Sequence, residues 1–387
     1  MYACISRAIG PAYPYPFILL AFTTLNFLNY APMKNSNNDI IRVDGSYGEG
    51  GGQILRTSLM LSTHLGKPLE IINIRKNRRT PGLMPQHLTA VRACQKICGA
   101  EVKGDSYRSE KLYFRPGKVR PGKYSFDIAA EKRSAGSASL VLQTMALPLF
   151  LVKGGSTIKV KGGTHVPWSP PATYLKQVFF PMLARLGLYS NIKILRWGFY
   201  PEGGGELLLQ IKRSSQKIKC LDFSERGKLK RVTGLSAVAN LPNSIAERQK
   251  KRALEMLREH GLRANIATKE ARSRGKGTVL FLTAEYENVV AGFSRLGEKG
   301  KAAEIVAEEA CQDMIDFNGK NVAIGHNLAD QILPYLALTR NKFVLNVSNL
   351  TTHLLTNLWV ISRFLDVQID IKGPRDLPGI ITVEPKS

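Results

Sequence analysis

Apolar residues return at helical spacing soon after residue 50, where Ile54, Leu55, Leu59, Leu61 and Leu65 fall on one broad face. That period predicts a helix. The apolar run from Leu69 to Ile74 reads as a strand, and Pro85 to about Cys98 reads as a second helix bearing Gln86 and His87. Arg115-Pro-Gly-Lys118 and Arg120-Pro-Gly-Lys123 are paired turn signals around short strands. The small residues from Ser134 to Ser139 open a helix through Leu140, Leu142 and Leu147, with Pro148 marking a kink or its end. A strand from Ser156 to Lys161, a proline-rich loop to Pro171 and a helix from about Thr173 to Leu186 follow. Next comes a strand running into Tyr200-Pro-Glu-Gly-Gly-Gly-Glu206, which echoes Tyr47-Gly-Glu-Gly-Gly-Gly-Gln53. Strand–helix units recurring with glycine-rich turns predict an internally repeated α/β module.

The pattern changes near Gln216. A strand from Arg231 to Leu241 precedes a helix on which Ser244 and Glu247 fit a capping box. A further strand, the basic turn Arg272-Ser-Arg-Gly-Lys276, a strand from Thr278 to Glu285 and a helix from Gly300 to Phe317 complete a βαββα unit. This unit is expected to be an inserted second domain over 218–319. The large domain then comprises 39–217 and 320–387, and the fold class is α/β (α+β). Beyond the insert, Asn327 to Pro334 lies on a helix, Lys342 to Val347 is a strand, and a closing helix runs to Phe364. Thr351 and Thr352 are its candidate N-caps, with His353 just inside.

Residues 1–38 do not share this patterning. No charge occurs from Ala8 to Met33, and Phe17 to Ala31 is largely apolar but carries Asn26 and Asn29. A membrane span needs roughly 20 predominantly apolar residues, so no stable membrane association is expected. Neither a basic start nor a small-residue cleavage site marks a signal peptide. The expectation is an over-extended start with Met33 as initiator, which a native mass counted from Met1 would refute.

Charge adds a partner to this outline. Lys and Arg exceed Asp and Glu by 25, and the sequence pI is near 9.9. A surplus of that size favours a polyanion such as nucleic acid. The basic helix with Lys250, Lys251, Arg252 and Arg258 and the cluster Arg75, Lys76, Arg78 and Arg79 are the densest runs. Five cysteines form no CxxC pair and no zinc spacing, which implies a reducing compartment and a cytoplasmic location.

Candidate chemistry concentrates in Asp44-Gly-Ser-Tyr-Gly-Glu-Gly-Gly-Gly-Gln-Ile-Leu-Arg56. No GxxxxGK[ST] occurs, and GxGxxG fails because Gln53 stands where its third glycine belongs. Three glycines let a ligand approach the backbone, Glu49 supplies an acid, and the helix start with Arg56 suits an anion. A tight strand-to-helix connection explains the same residues equally well. His353, at a helix N-terminus that disfavours the imidazolium, is a candidate nucleophile or a structural histidine.

Taken in order, these motifs are specific. The Asp44–Arg56 run, Arg75 with Arg78 and Pro81-Gly82, Gln86-His-Leu-Thr-Ala90, Ser134-Ala-Gly-Ser137 with Gln143, Phe199-Tyr-Pro-Glu-Gly-Gly-Gly205, Leu328-Ala-Asp-Gln331 and His353-Leu-Leu-Thr-Asn357 occur in one chain. From about Asp39 to its C-terminus the chain resembles the RNA 3′-terminal phosphate cyclase family. The resemblance implies a large domain of three repeated β/α units with a smaller α/β domain inserted. It implies an enzyme that uses ATP and Mg2+ or Mn2+ to convert an RNA 3′-phosphate to a 2′,3′-cyclic phosphate. The route is a covalent histidine–AMP and an RNA-adenylate. By the same matching, His353 is the nucleophile and Glu49 holds the metal. Arg56, Arg75, Arg78 and Gln86 contact phosphates, while Gln53, Gln143, Asp330 and Gln331 line the pocket, with Asp330 placed to orient His353. Pro167 lies near the adenine. Asn327 departs from the family, which usually has a ring there; His326 stands one position earlier, implying looser nucleotide preference. Two rival readings share parts of the pattern. A non-catalytic cyclase-like factor in ribosomal-RNA processing would lack the nucleophile, and an enolpyruvyl-transferase-like enzyme would act on small metabolites. His353, Glu49, the arginines and the basic charge favour the cyclase reading; the oligomeric state stays open.

Overall fold

The computed structural model describes residues 40–130, 132–212 and 217–386. The N-terminal run assigned to an over-extended start lies outside the described residues. Two segments share one topology. In the first, β1 (Ile41–Asp44), α1 (Gly52–Leu65), β2 (Leu69–Ile72), α2 (Pro85–Cys98), β3 (Glu101–Lys103) and β4 (Leu112–Arg115) form a sheet of order β1-β2-β4-β3. Only the β1–β2 pair is parallel. The second has β5 (Lys123–Asp127), α3 (Ala138–Leu151), β6 (Ser156–Gly162), a broken helix, β7 (Ser190–Arg196) and β8 (Gly205–Ile211). Its order, β5-β6-β8-β7, and its strand directions repeat the first. The broken helix is α4 (Ala172–Tyr174), a π-helical turn over Leu175–Phe179 and α5 (Phe180–Arg185).

The third copy is interrupted. Its first strand is reduced to Phe223, which pairs in parallel with Leu345 through 2.9 Å bonds to Val344 O and from Asn346 N–H. The chain then leaves to build a separate sheet from β9 (Leu229–Ala239), β10 (Ala264–Glu270), β11 (Gly277–Tyr286) and β12 (Val290–Leu296), ordered β10-β9-β11-β12. With it come α6 (Asn243–Glu259) and α7 (Ala303–Gly319). The third unit resumes with α8 (His326–Ala337), β13 (Phe343–Val347), α9 (Thr352–Phe364), β14 (Val367–Lys372) and β15 (Gly379–Pro385), ordered β13-β15-β14. The mixed α/β class and the repeated unit are therefore as expected.

Several local expectations are corrected. The glycine echo is not a structural repeat: Gly50–Gly52 lead from β1 into α1, whereas Gly203–Gly205 lead from β7 into the antiparallel β8. No capping box forms at Ser244 and Glu247, because α6 begins one residue earlier behind Pro242. Glu247 instead accepts a 2.9 Å bond from the Thr268 hydroxyl. Pro148 does not end α3, which continues to Leu151 and is apolar on nearly every side, as a helix enclosed by the core must be. On α6 the basic face is partly neutralised, since Arg248 meets Glu304 at 2.7 Å and Arg252 meets Glu308 at 2.6 Å across to α7. One buried core runs through the three units and most of the interrupting segment. Among the described residues no helix is long and apolar enough to cross a membrane.

Candidate active site

The first helices of the three units converge on a cleft of about 950 Å³. Its wall includes Glu49, Gln53, Arg56, Arg75, Arg78, Gln86, Gln143, Asp330, Gln331 and His353, ten of the eleven residues singled out in the sequence. Pro167 is exposed and off the wall, although Trp168 to Pro171 beside it are on it.

The turn that carries Glu49 is shaped by glycine. Gly48 and Gly50 have φ of 56° and 60°, in the left-handed region where a side chain is strained. A Cβ on Gly48 would also collide with the Thr356 hydroxyl. This folding directs the Glu49 carboxylate between two partners: Oε2 lies 2.8 Å from His353 Nε2, and Oε1 contacts Arg78.

His353 is the second residue of α9. Thr351 caps the helix by accepting from Leu354 N–H at 3.2 Å, as expected from the sequence. Burial pushes the ring's pKa below 6.5; Asp330 opposes this, while Arg56 and Arg78 reinforce it. The Glu49 carboxylate is already shared with Arg78, so it offers the imidazolium little. At neutral pH the ring is uncharged.

Asp330 does not hold the His353 ring directly. Its Oδ1 accepts from the Gln53 amide and, at 2.7 Å, from Asn357 Nδ2. The same Gln53 nitrogen lies 3.4 Å from the His353 carbonyl, so Asp330 positions the histidine through Gln53. Burial raises the Asp330 pKa; His353, Gln53, Arg56 and Asn357 oppose that rise. Asn357 was not singled out, yet it is the hub: its Oδ1 accepts from Thr57 at 2.6 Å and its Nδ2 also donates to the Asp330 carbonyl at 2.8 Å. Its spacing of one helical turn from His353 was the available signal.

The cations divide by task. Arg56 is buried enough for its pKa to fall to about 10, with Asp330 favouring its charge. Arg75 donates from Nη1 to the carbonyls of Thr80 and Gly82, each at 2.8 Å, and so also clamps its own loop. Lys76 and Arg79, the other members of that cluster, are exposed and off the cleft wall. Gln86 Oε1 accepts from Ser137 N–H at 2.8 Å, and Gln143 donates to Gln331 at 2.8 Å. His326 lies in the wall with Nδ1 3.2 Å from the Ser348 hydroxyl, and Asn327 beside it is exposed.

A family model described as RNA 3′-terminal phosphate cyclase matches residues 47–371. The chain belongs to this family. A protein of that description from Nostoc punctiforme is 44% identical over 335 residues, covering 86% of this chain and 96% of its own length. Others come from Pyrobaculum aerophilum, 41% identical over 331 residues (85% and 93% covered), and Pyrococcus furiosus, 40% identical over 348 residues (90% and 100% covered). The expected membership in a cyclase family of enzymes is met. The cleft wall also includes Ala291 to Arg295 on β12 and Lys320 after α7, which were not expected from the sequence. The sequence reading had no strand at β12.

Proposed function

We propose that the protein consumes ATP to close the 3′-terminal phosphate of an RNA into a 2′,3′-cyclic phosphate, with His353 as the covalent nucleophile. The observation that carries this reading is the neutral, half-exposed His353 ring at the start of α9, facing Glu49 with Arg56 and Arg78 beside it. Nε2 bonds to the α-phosphorus of ATP while the bond to pyrophosphate breaks. An oxygen of the RNA 3′-phosphate then takes the AMP, breaking the P–N bond and returning the ring. The neighbouring 2′-hydroxyl attacks that 3′-phosphorus, AMP leaves, and the hydroxyl proton passes to solvent.

The chain's own groups serve each step. A carboxylate can only accept, so in the resting contact His353 Nε2 carries the proton. Attack requires the other tautomer, reached when the Nε2 proton is passed to solvent and one solvent proton is returned to Nδ1, which leaves Glu49 an unprotonated carboxylate. Arginines bind phosphate oxygens in pairs and offset the charge that accumulates on departing pyrophosphate. Glu49 fits a divalent metal in one manner. It is a single carboxylate on the wall of the cleft, among Arg56, Arg75 and Arg78, and Mg2+ takes one or two carboxylates with the rest of its shell from phosphate and water. Mg2+ or Mn2+ bound there would neutralise triphosphate charge.

The test is incubation with ATP labelled at its α-phosphate, followed by denaturing electrophoresis of wild type and His353→Ala. Acid-labile, alkali-stable label on wild type alone is expected. An unlabelled wild type that binds ATP would refute the covalent route and favour the non-catalytic reading.

A further inference from the structure

A second recess borders the loop before α3. Ser134 lines this recess, and Ser137, only three Cα steps on (at most ~11 Å), donates its N–H to the cleft residue Gln86. The recess has a volume of about 540 Å³. Five cations line it, Arg133, Lys159, Lys161, Arg196 and Arg274, against three carboxylates, Asp127, Glu202 and Glu206.

The carboxylates leave most of those cations unanswered. Glu206 is 2.6 Å from Lys159, and Asp127 accepts from the Ala129 N–H at 3.0 Å. Glu202 is pressed against the backbone of Gly275, where a Cβ would collide with it. Among the described residues, Arg133, Lys161, Arg196 and Arg274 form no ion pair. They come from four separate places: the loop after β5, β6, β7 and the turn between β10 and β11. A solvated face does not gather cations into a concavity, since their repulsion favours dispersal.

The wall is also rigid. Asn240 donates to the carbonyls of Ser273 and Gly275 at 3.1 and 3.0 Å, fixing the turn that carries Arg274. Trp197 N–H donates to Arg272 O at 3.0 Å, docking this turn onto the second unit. The Arg274 stem lies over Gly204, whose φ of 65° and missing side chain allow the approach. Tyr200, two-thirds exposed, stands two residues before Glu202.

We infer that this recess holds the phosphodiester backbone of the RNA a few nucleotides upstream of the 3′ end bound in the cleft. The inference rests on the cleft being an RNA 3′-end site. A flexible backbone leaving the cleft would cross the Ser134–Ser137 loop and meet the cations that line the recess. Binding there is blind to base sequence, as backbone contacts are.

Binding of fluorescent 3′-phosphorylated oligonucleotides of three and twelve nucleotides tests this, alongside cyclisation of the same RNAs. Wild type should bind the twelve-mer more tightly. Each single-strand phosphate contact contributes about 0.7 to the log–log salt slope, so Arg196→Ala/Arg274→Ala should lower that slope by about 1.4. At ~0.1 M salt it should weaken the twelve-mer about 25-fold, taking the electrostatic part to vanish near ~1 M. Three-mer binding and His353 labelling should not change, and Arg196→Lys/Arg274→Lys should restore twelve-mer binding. Equal affinity of wild type for both lengths, or an unchanged slope in the alanine variant, overturns the inference. So does a variant that loses polyglutamate binding but keeps RNA binding, which would assign the recess to an acidic protein. If wild type fails to cyclise either RNA while the length and slope effects appear, the recess stands and the proposed reaction falls.

Discussion

Asp330→Asn separates charge from hydrogen bonding at the centre of the site. The introduced amide retains a carbonyl oxygen for Gln53 and Asn357, so the bridge from position 330 through Gln53 to the His353 carbonyl survives. What disappears is the anion that favours a charged His353 ring. The sign follows directly. Burial, Arg56 and Arg78 already depress the ring, and removing the opposing carboxylate depresses it further, so neutral imidazole persists to lower pH. The rate of ATP-dependent self-labelling, measured as a function of pH, should therefore show its acid limb displaced to lower pH. The plateau should fall no more than about fivefold, because a neutral acceptor is weaker than a charged one by about 1 kcal/mol. A limb that stays in place or moves upward would refute the proposed coupling.

Two further expectations follow from buried and exposed extremes. Thr57 and Asn357 are both buried and joined at 2.6 Å, so Thr57→Val should cost about 1–3 kcal/mol and Asn357→Leu more, since it also strips a donor from the Asp330 carboxylate. In urea unfolding the double variant should cost about 1–2 kcal/mol less than the two single costs combined; simple additivity would deny the bond. Trp168 is fully exposed at the cleft wall, whereas Trp197 and Trp359 are each 5% exposed. Acrylamide quenching should thus report Trp168 alone, vanish in Trp168→Phe, and fall when ATP fills the cleft; quenching indifferent to ATP would place the nucleotide elsewhere.

Much of the frame was legible because its elements are amphipathic. The 3.6-residue period of α1 and the apolar runs of β2 and β6 mark elements packed against one core. The elements that escaped had weaker or unread signals. In β12, Gly292 and Ser294 interrupt the apolar run, and the strand is specified by pairing with β11 rather than by its own composition. Strand β14, Val-Gln-Ile-Asp-Ile-Lys, alternates fully and could have been read. At the site, the motifs located the residues but not their partners. Glu49 and His353 meet across almost the whole chain, and nothing local to either says so. Asp330 was expected to orient His353; the amide of Gln53 stands between them, which only the packing of α9 against α1 and α8 reveals.

The repeat explains why the cleft exists where it does. The sixth residues of α1, α3 and α8 are Thr57, Gln143 and Gln331, all polar and all on the cleft wall. Equivalent helices thus present one polar position each to a shared centre, and Gln143 and Gln331 bond across it. The second helices show the same relation with greater divergence. The second residue of α2 is Gln86, of α4 Thr173 and of α9 His353. One copy is the proposed nucleophile, one ties to the start of α3, and the third is buried with its hydroxyl unpartnered. Among the described residues, the acid in contact with the His353 ring is Glu49, from the strand-to-helix turn of the first unit. In the second unit that turn ends in Ser-Ala-Gly-Ser, and in the third the crossover was given over to the interrupting sheet. The proposed reactivity therefore depends on how units one and three face each other. A change that rotates α9 against α1 should silence His353 even with every cleft residue intact.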